Sequence, residues 1–424
     1  MSARKKIARN TLVQLVGKAI TASSTLLVTM LITRHFGPAG FGDFMIMITF
    51  PTLFWIMADF GFNATVIREI SKKEENTQRY FANLLLIRLG LAGLFTVVAL
   101  VVLRFLPYSP LVKLGAGLNL STLFLMAVFS STQTIFQANS QQKFQVAAQV
   151  LGALLNLGLV AGLIHFSGDL LWVALGSLLG NLLMVVMGIF WARRFIDWRQ
   201  IKWERVLASK LLRLTLPIGL ALIFDILDFK IDSFMLSVLP LPGGRVNSAV
   251  VGYYGTAFKI LEVTLTVPFF FMSAVYPLLV RRFQESWPAA EKLFRQSFLS
   301  LLVVSVLGVV FGEALAPWLI RFLAGAEFGQ AVPALRLLLL ALPVFFITSL
   351  LMHTLLALER QRVLPFVYGG ALVVNLGLNF FFIPRYSLLA AAAITGVTEL
   401  LVLSLLAWFV FREFSRKVRQ DASV

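Results

Sequence analysis

The chain has 424 residues, 59% of them hydrophobic and 13% charged. Soluble domains carry about a quarter charged residues, so a soluble globular protein is excluded and a polytopic membrane protein remains. The net charge of +17 would suggest nucleic acid for a soluble chain; here it points to basic loops on the cytoplasmic side and no nucleic-acid partner. The absence of cysteine removes disulfides, thiol catalysis and cysteine-based metal sites.

The apolar runs are long and continuous. Membrane barrels show segments of about ten alternating residues instead, so the spans are helices, which satisfy their own backbone in lipid. The first ten residues, "MSARKKIARN", resemble a signal-peptide n-region. The apolar stretch behind them is too long for an h-region and has no Ala-x-Ala-like cleavage site, so it reads as a retained first helix. A span needs about 20 mostly apolar residues. Twelve candidates follow in order, at 11–33, 42–64, 80–103, 116–138, 145–165, 170–192, 212–238, 250–277, 296–319, 332–357, 364–384 and 387–411. The links between them are short and leave no room for a large extramembrane catalytic module.

Placed on alternate sides, 26 Lys and Arg fall on one face of the membrane and six on the other (Arg34, Arg104, Lys113, Arg245, Arg321, Arg385). This bias predicts both termini in the cytoplasm and an even number of spans; the expected location is the cell inner membrane. Five basic residues stay inside spans: Lys18, Arg88, Lys230, Lys259 and Arg336.

The longest basic link, "RRFIDWRQIKWERVLASK", reads as a helix lying on the membrane surface. It divides residues 1–200, an N-terminal six-helix lobe, from residues 201–424, a C-terminal six-helix lobe. "NLGL" recurs at Asn156–Leu159 and Asn375–Leu378, in the fifth and eleventh spans; "GFGDF" (Gly40–Phe44) and "VGYY" (Val251–Tyr254) open the second and eighth. The matched order predicts a parallel repeat, a transporter architecture.

The seventh span carries the densest charge, "LIFDILDFKIDSFMLSVL" (222–239). A charge at the bilayer centre costs about 2.5–3.5 kcal/mol on insertion scales. At 100° per residue, Asp225, Asp228 and Asp232 fall within about 60° of one another, and Lys230 lies on another face. The stripe is predicted to face a water-filled cavity and Lys230 to reach a partner helix or the outer interface. Pro217 is expected to bend the entry to this span.

The eighth span adds Lys259 and Glu262 on one face, and Lys259 is placed to pair with Asp232. Asp59, in the second span, and Glu399, in the twelfth, are also intramembrane. The functional reading is a polar cavity in which Lys18, Arg88 and Lys259 hold an anionic headgroup such as a pyrophosphate. Asp225, Asp228, Asp232, Glu262 and Glu399 then serve ion coupling or gating. The structural alternative is that buried acids and bases neutralise each other and fix helix packing. Arg336 reads as interfacial, and Asn156 and Asn375 as helix–helix hydrogen bonds. His35, His165 and His353 lack metal spacing, and no P-loop is present, so neither a metal nor a nucleotide cofactor is expected.

Several stretches resemble the Wzx-type polysaccharide flippases of the multidrug/oligosaccharidyl-lipid/polysaccharide exporter superfamily. They are "LITRHFGPAGFGDF" (Leu31–Phe44), "DSFMLSVL…VVGYYGTAFKI" (Asp232–Ile260), "LIRFLAGAEFGQAVPALRLLLLALP" (Leu319–Pro343) and "NLGLNFFFIPRYSLLAAAAITGVTEL" (Asn375–Leu400). Asp232, Tyr254, Lys259 and Glu399 fall at family-like positions; Asp225 and Asp228 do not. The resemblance implies an all-α bundle of twelve helices in two lobes with alternating access. The implied cargo is a polyprenyl-pyrophosphate-linked oligosaccharide moved from the inner to the outer leaflet. Na⁺ or H⁺ coupling, and a glycan polymerase or glycosyltransferase as partner, go with it.

Three rivals remain. A cation-coupled drug antiporter of the same superfamily shares the buried acids, but the interior Lys and Arg favour an anionic cargo. The murein-precursor flippase branch typically has two further helices. A membrane glycan ligase or polymerase usually carries a sizeable external loop, which is missing here.

Overall fold

The computed structural model describes residues 3–72, 77–166, 168–242 and 247–421. Arg245 and Lys73, both used in the charge count, lie outside them. No strand occurs among the described residues. The helices are α1 (Ala3–Asp59), α2 (Phe62–Lys72), α3 (Thr77–Phe105), α4 (Pro110–Asn119), α5 (Thr122–Ala138), α6 (Gln142–Phe166), α7 (Leu170–Ala192), α8 (Arg205–Val238), α9 (Ser248–Thr264), α10 (Thr266–Glu285), α11 (Trp287–Ala324), α12 (Ala331–Leu340), α13 (Leu342–Ala357) and α14 (Leu364–Asp421).

At 1.5 Å per residue a crossing of a roughly 30 Å core takes about 20 residues, so the longest helices must fold back. α1, with 57 residues, breaks at Gly37 (φ 64°, ψ −170°). The local sequence explains the break. Glycine takes the left-handed backbone without a Cβ penalty, and Pro38 then opens the next helix with its φ preset. α14, with 58 residues, breaks at Ser387 (φ 55°, ψ −134°), three residues after Pro384. Among the described residues, eight helices are long and apolar enough to cross a membrane. They become ten when the two parts of α8, and α12 with α13, each count as one crossing. Counting α1 and α14 as two crossings each raises ten to twelve. The protein is an all-α integral membrane protein with a twelve-crossing fold in two six-helix lobes.

The chain forms two compact units, Met1–Ile223 and Phe224–Val424. The boundary falls inside α8, because the first part of that helix is bound into the N-terminal unit. Glu204, just before it, pairs with Arg79, whose Nε donates to Glu204 Oε1 at 2.8 Å. Its backbone N–H also donates to Asn83 Oδ1 at 2.8 Å. Lys210 Nζ meets Glu69 Oε2 at 2.9 Å. Leu211 and Ala208 join a core of Phe62, Val66, Phe81, Leu84, Ile135 and Phe136. α8 bends by 54° between its parts Arg205–Leu216 and Gly219–Val238, where the sequence anticipated a bend. The bend seats Gly219 on the α1–α2 corner, where Phe60 and Gly61 are both left-handed (φ 49° and 65°). A Cβ on Gly219 would lie 2.5 Å from the Phe60 carbonyl oxygen, so only glycine fits.

The basic link is not the surface helix that its composition suggested. α8 begins at Arg205, within the link's last residues; before it a single 3₁₀ turn forms, Trp198–Gln200. Asp197 caps it by accepting from Arg199 N–H at 2.9 Å. Gln78 clamps the Asp197 backbone with two hydrogen bonds, 2.9 and 2.8 Å. Trp198 packs edge-on against Phe81 at 5.2 Å. These bonds to α3 hold the link in a form that a free amphipathic helix would not allow.

Within the N-terminal unit, α6 and α7 approach closely through small residues, the usual device where lipid supplies no hydrophobic drive. A Cβ on Gly180 would sit 2.7 Å from Asn156 Cβ and 2.9 Å from the Gly152 carbonyl oxygen. Gly180→Val is expected to force the helices apart and to destabilise the protein by about 1–3 kcal/mol. Gly158→Ala, on the same α6 but with nothing within 4 Å, is the neutral control. Thermal unfolding in detergent reads the difference; equal melting temperatures for the two variants would refute it.

Candidate functional site

In the N-terminal unit, Arg88 on α3 is fully buried. Its Nη2 meets Asp59 Oδ1 of α1 at 2.7 Å and Asn63 Oδ1 of α2 at 2.9 Å, and Nη1 donates to Ser131 Oγ of α5 at 3.3 Å. Ser130 Oγ also donates to Asp59, at 3.1 Å. Arg88 was expected among headgroup-binding residues. Here it is committed to an internal network, because Asp59 stands at the end of α1 where the corner turns the carboxylate inward. Lys18 is an exposed residue of α1 with no ion-pair partner among the described residues. Lys18 and Arg88 belong to the first unit and Lys259 to the second.

In the C-terminal unit the acidic stripe grades from half-buried Asp225 through Asp228 to fully buried Asp232. Asp232 does not face a water-filled cavity. It accepts from three neutral donors: Asn379 Nδ2 at 2.6 Å, Thr395 Oγ1 at 2.5 Å and Tyr254 OH at 3.3 Å. The expected Lys259–Asp232 pair does not form, because α9 presents Tyr254 to this face of α8. Asn379 uses its other amide hydrogen on Asn375 Oδ1, at 2.6 Å, which leaves its own Oδ1 buried without a partner among the described residues. Asp228 Oδ1 is likewise buried and unpartnered. Glu399 lies within electrostatic reach of Asp225 and Asp228, and Tyr368 within reach of all three.

The sequence reading missed Asn379 and Thr395. Asn379 lies one turn beyond Asn375 on the same face. Thr395 lies on the far side of the α14 break, so only the fold brings it back to Asp232. Buried carboxylate, amide and hydroxyl oxygens on three helices suit a hard cation. The orphaned Asn379 Oδ1 is the observation that fits such an ion, because a buried acceptor without a donor is costly.

A second cluster lies between α8 and α9. Lys230 Nζ meets Glu262 Oε1 and Lys259 Nζ meets Glu262 Oε2 at 2.8 Å. Glu262, expected among coupling acids, sits with the bases. The three side chains remain 22–23% exposed. Asn375 Nδ2 reaches the Asp228 carbonyl and Thr398 Oγ1, both at 3.5 Å, as expected for a helix–helix contact. Asn156 Oδ1 is buried with no partner among the described residues. Arg336 is half-exposed near Glu313, at 3.5 Å.

The profile of a family described as "Polysaccharide biosynthesis protein" matches residues 7–283. No curated protein matches the chain. Solved structures share the fold. An inward-facing multidrug resistance MATE family transporter of the MOP superfamily is 15% identical, with 96% of this chain and 98% of that chain covered and a TM-score of 0.76. Lipid II flippase MurJ in an inward closed conformation is 14% identical, covering 93% of this chain and 86% of that one, with a TM-score of 0.75. A MOP superfamily transporter from Pyrococcus furiosus, whose binding pocket is described as having reverse polarity, is 16% identical, with 97% and 96% covered and a TM-score of 0.69. The chain belongs to the polysaccharide biosynthesis protein family and has the fold of the MOP superfamily transporters.

Proposed function

We propose that this protein flips a polyprenyl-pyrophosphate-linked oligosaccharide from the inner to the outer leaflet of the cell membrane. The observation that carries this reading is the half-buried lysine pair of the C-terminal unit, two cations on one carboxylate, in a chain of the polysaccharide biosynthesis family. Lys259 binds the anionic headgroup, with Lys18 as a further exposed cation. The two lobes alternate access, with both termini in the cytoplasm, and a glycan polymerase or glycosyltransferase is the partner that supplies or consumes the cargo.

Coupling is to Na⁺ or H⁺. Asp232, Asn379 and Thr395 offer the oxygens for a monovalent cation, and the same carboxylate takes a proton in the other case. Asp225, Asp228 and Glu399, three acids within reach of one another, gate that step. Binding chemistry of this kind needs no covalent catalysis, so the protein is not an enzyme in this reading.

The acid-rich C-terminal unit also favours a second reading, a cation-coupled multidrug antiporter; a multidrug resistance MATE family transporter shares the fold. The test is a deletion strain of the source organism. Polyprenyl-linked oligosaccharide should accumulate in the cytoplasmic leaflet and clear when the gene is restored. Normal distribution across both leaflets, with lost resistance to cationic compounds, would establish the antiporter instead. In the same strain, Asp225→Asn or Asp228→Asn should lower flipping by about tenfold while leaving the protein inserted. Full complementation by both would make this pair of acids structural.

A further inference from the structure

The lysine pair has a feature that a simple anion site would lack: it already holds an anion of its own. Each Glu262 oxygen takes one ammonium, from Lys230 on α8 and from Lys259 one turn back on α9. The charged groups acting on Glu262 are these two lysines; those acting on Lys230 are Glu262 and Lys259. The acidic stripe faces elsewhere. The cluster therefore keeps one unbalanced positive charge in a poorly hydrated site. Each ammonium has three N–H donors, and one from each lysine is used on Glu262. Lys230 is also flanked by aromatic faces, its Nζ 5.3 Å from the centre of the Phe229 ring and 5.0 Å from that of Phe258. The rings hold the ammonium in place and favour cationic charge there.

We propose that Glu262 is an internal counter-anion, which occupies a two-lysine anion site when cargo is absent and which the cargo's pyrophosphate displaces. This rests on the headgroup reading above and adds Lys230 and Glu262 to it. A single carboxylate neutralises one of two cations. A pyrophosphate carries more charge and more oxygens, satisfies both ammoniums and uses their spare donors. A ligand bearing only one negative charge gains nothing by replacing Glu262. The carboxylate therefore sets a threshold of ligand charge and selects pyrophosphate lipid over a singly charged phosphodiester phospholipid. Positive charge released from Glu262 by cargo, and restored when cargo leaves, also makes the empty site self-quenching.

The test uses the purified full-length protein in nanodiscs of neutral lipid, with undecaprenyl pyrophosphate and singly charged phosphatidylglycerol as probes. Glu262→Gln should bind both more tightly, by about tenfold or more for phosphatidylglycerol, so that the preference for pyrophosphate shrinks. Lys230→Met should weaken pyrophosphate binding by about tenfold. Should Glu262→Gln fail to fold, Glu262→Asp serves: its shorter arm cannot span both lysines, so affinity should rise several-fold. Unchanged affinity and unchanged preference in a folded Glu262 variant would overturn the proposal. Should Lys259→Met still weaken binding in that case, the headgroup reading survives without it. If the wild-type protein binds undecaprenyl pyrophosphate no better than undecaprenol, the headgroup reading fails and this inference fails with it.

Discussion

Asp232→Asn is expected to lower flipping by about 100-fold, equivalent to about 2.7 kcal/mol, in a protein that still inserts and folds. The reason is the sign of its partners. Asn379 Nδ2, Thr395 Oγ1 and Tyr254 OH all direct donors at this carboxylate. Three donors suit the acceptor-only oxygens of a carboxylate, the group that can exchange a cation or a proton. An asparagine keeps one acceptor oxygen and the side-chain volume. It then brings an NH₂ group against donors and carries no charge to couple. Asp232→Leu is a harsher change. It strands the Asn379 donor, at a cost of about 1–3 kcal/mol, while Thr395 keeps the Ala391 carbonyl and Tyr254 keeps Thr395 Oγ1, and it should lower the melting temperature as well as activity. The leaflet assay and thermal unfolding together separate the cases. An Asp232→Asn protein that flips at the wild-type rate would show that the network only holds α8, α9 and α14 together.

The class of molecule, the twelve crossings and the main break points were legible from residues. "HFGPAG" marks the turn in α1 because glycine and proline have fixed backbone demands, and Ile-Pro-Arg-Tyr marks the approach to the turn in α14. The three acids of α8 were placed on one face by helical geometry alone. What the sequence withheld was rotation. A helix that is apolar on all sides has no amphipathic stripe to say which face meets which neighbour. Lys259 was matched with Asp232 by charge, whereas α9 turns Tyr254 to that carboxylate and places Glu262 between two lysines. Thr395 was invisible for a related reason. Its partner lies 163 positions away, and a lone threonine in a small-residue helix is ordinary. The link between lobes was misread because the residue that clamps it, Gln78, lies on α3, and nothing in the local pattern shows a tertiary clamp.

Breaking the Arg88–Asp59 pair should produce the largest loss of stability, and the two single variants should differ. Arg88 is fully buried, whereas Asp59 keeps 24% of its side-chain surface exposed. Asp59→Asn leaves a guanidinium with no counter-charge in the core of the N-terminal unit, a loss of about 3–5 kcal/mol. Arg88→Met leaves a carboxylate that still reaches solvent and keeps the Ser130 hydroxyl, so its penalty should be smaller. The double variant Asp59→Asn with Arg88→Met removes both charges and retains most of the packing around Phe62, whose ring Arg88 overlies at 5.8 Å. It should recover at least half of the loss, because replacing a buried ion pair is far cheaper than splitting it. Thermal unfolding of the four proteins in one detergent gives the cycle. Binding of undecaprenyl pyrophosphate to the double variant decides the residue's role. Wild-type affinity there would mean that Arg88 fixes the α1–α2 corner and takes no part in holding cargo. A tenfold loss of affinity without a loss of stability would return Arg88 to the headgroup site and require Asp59 to release it, much as Glu262 is proposed to release its lysines.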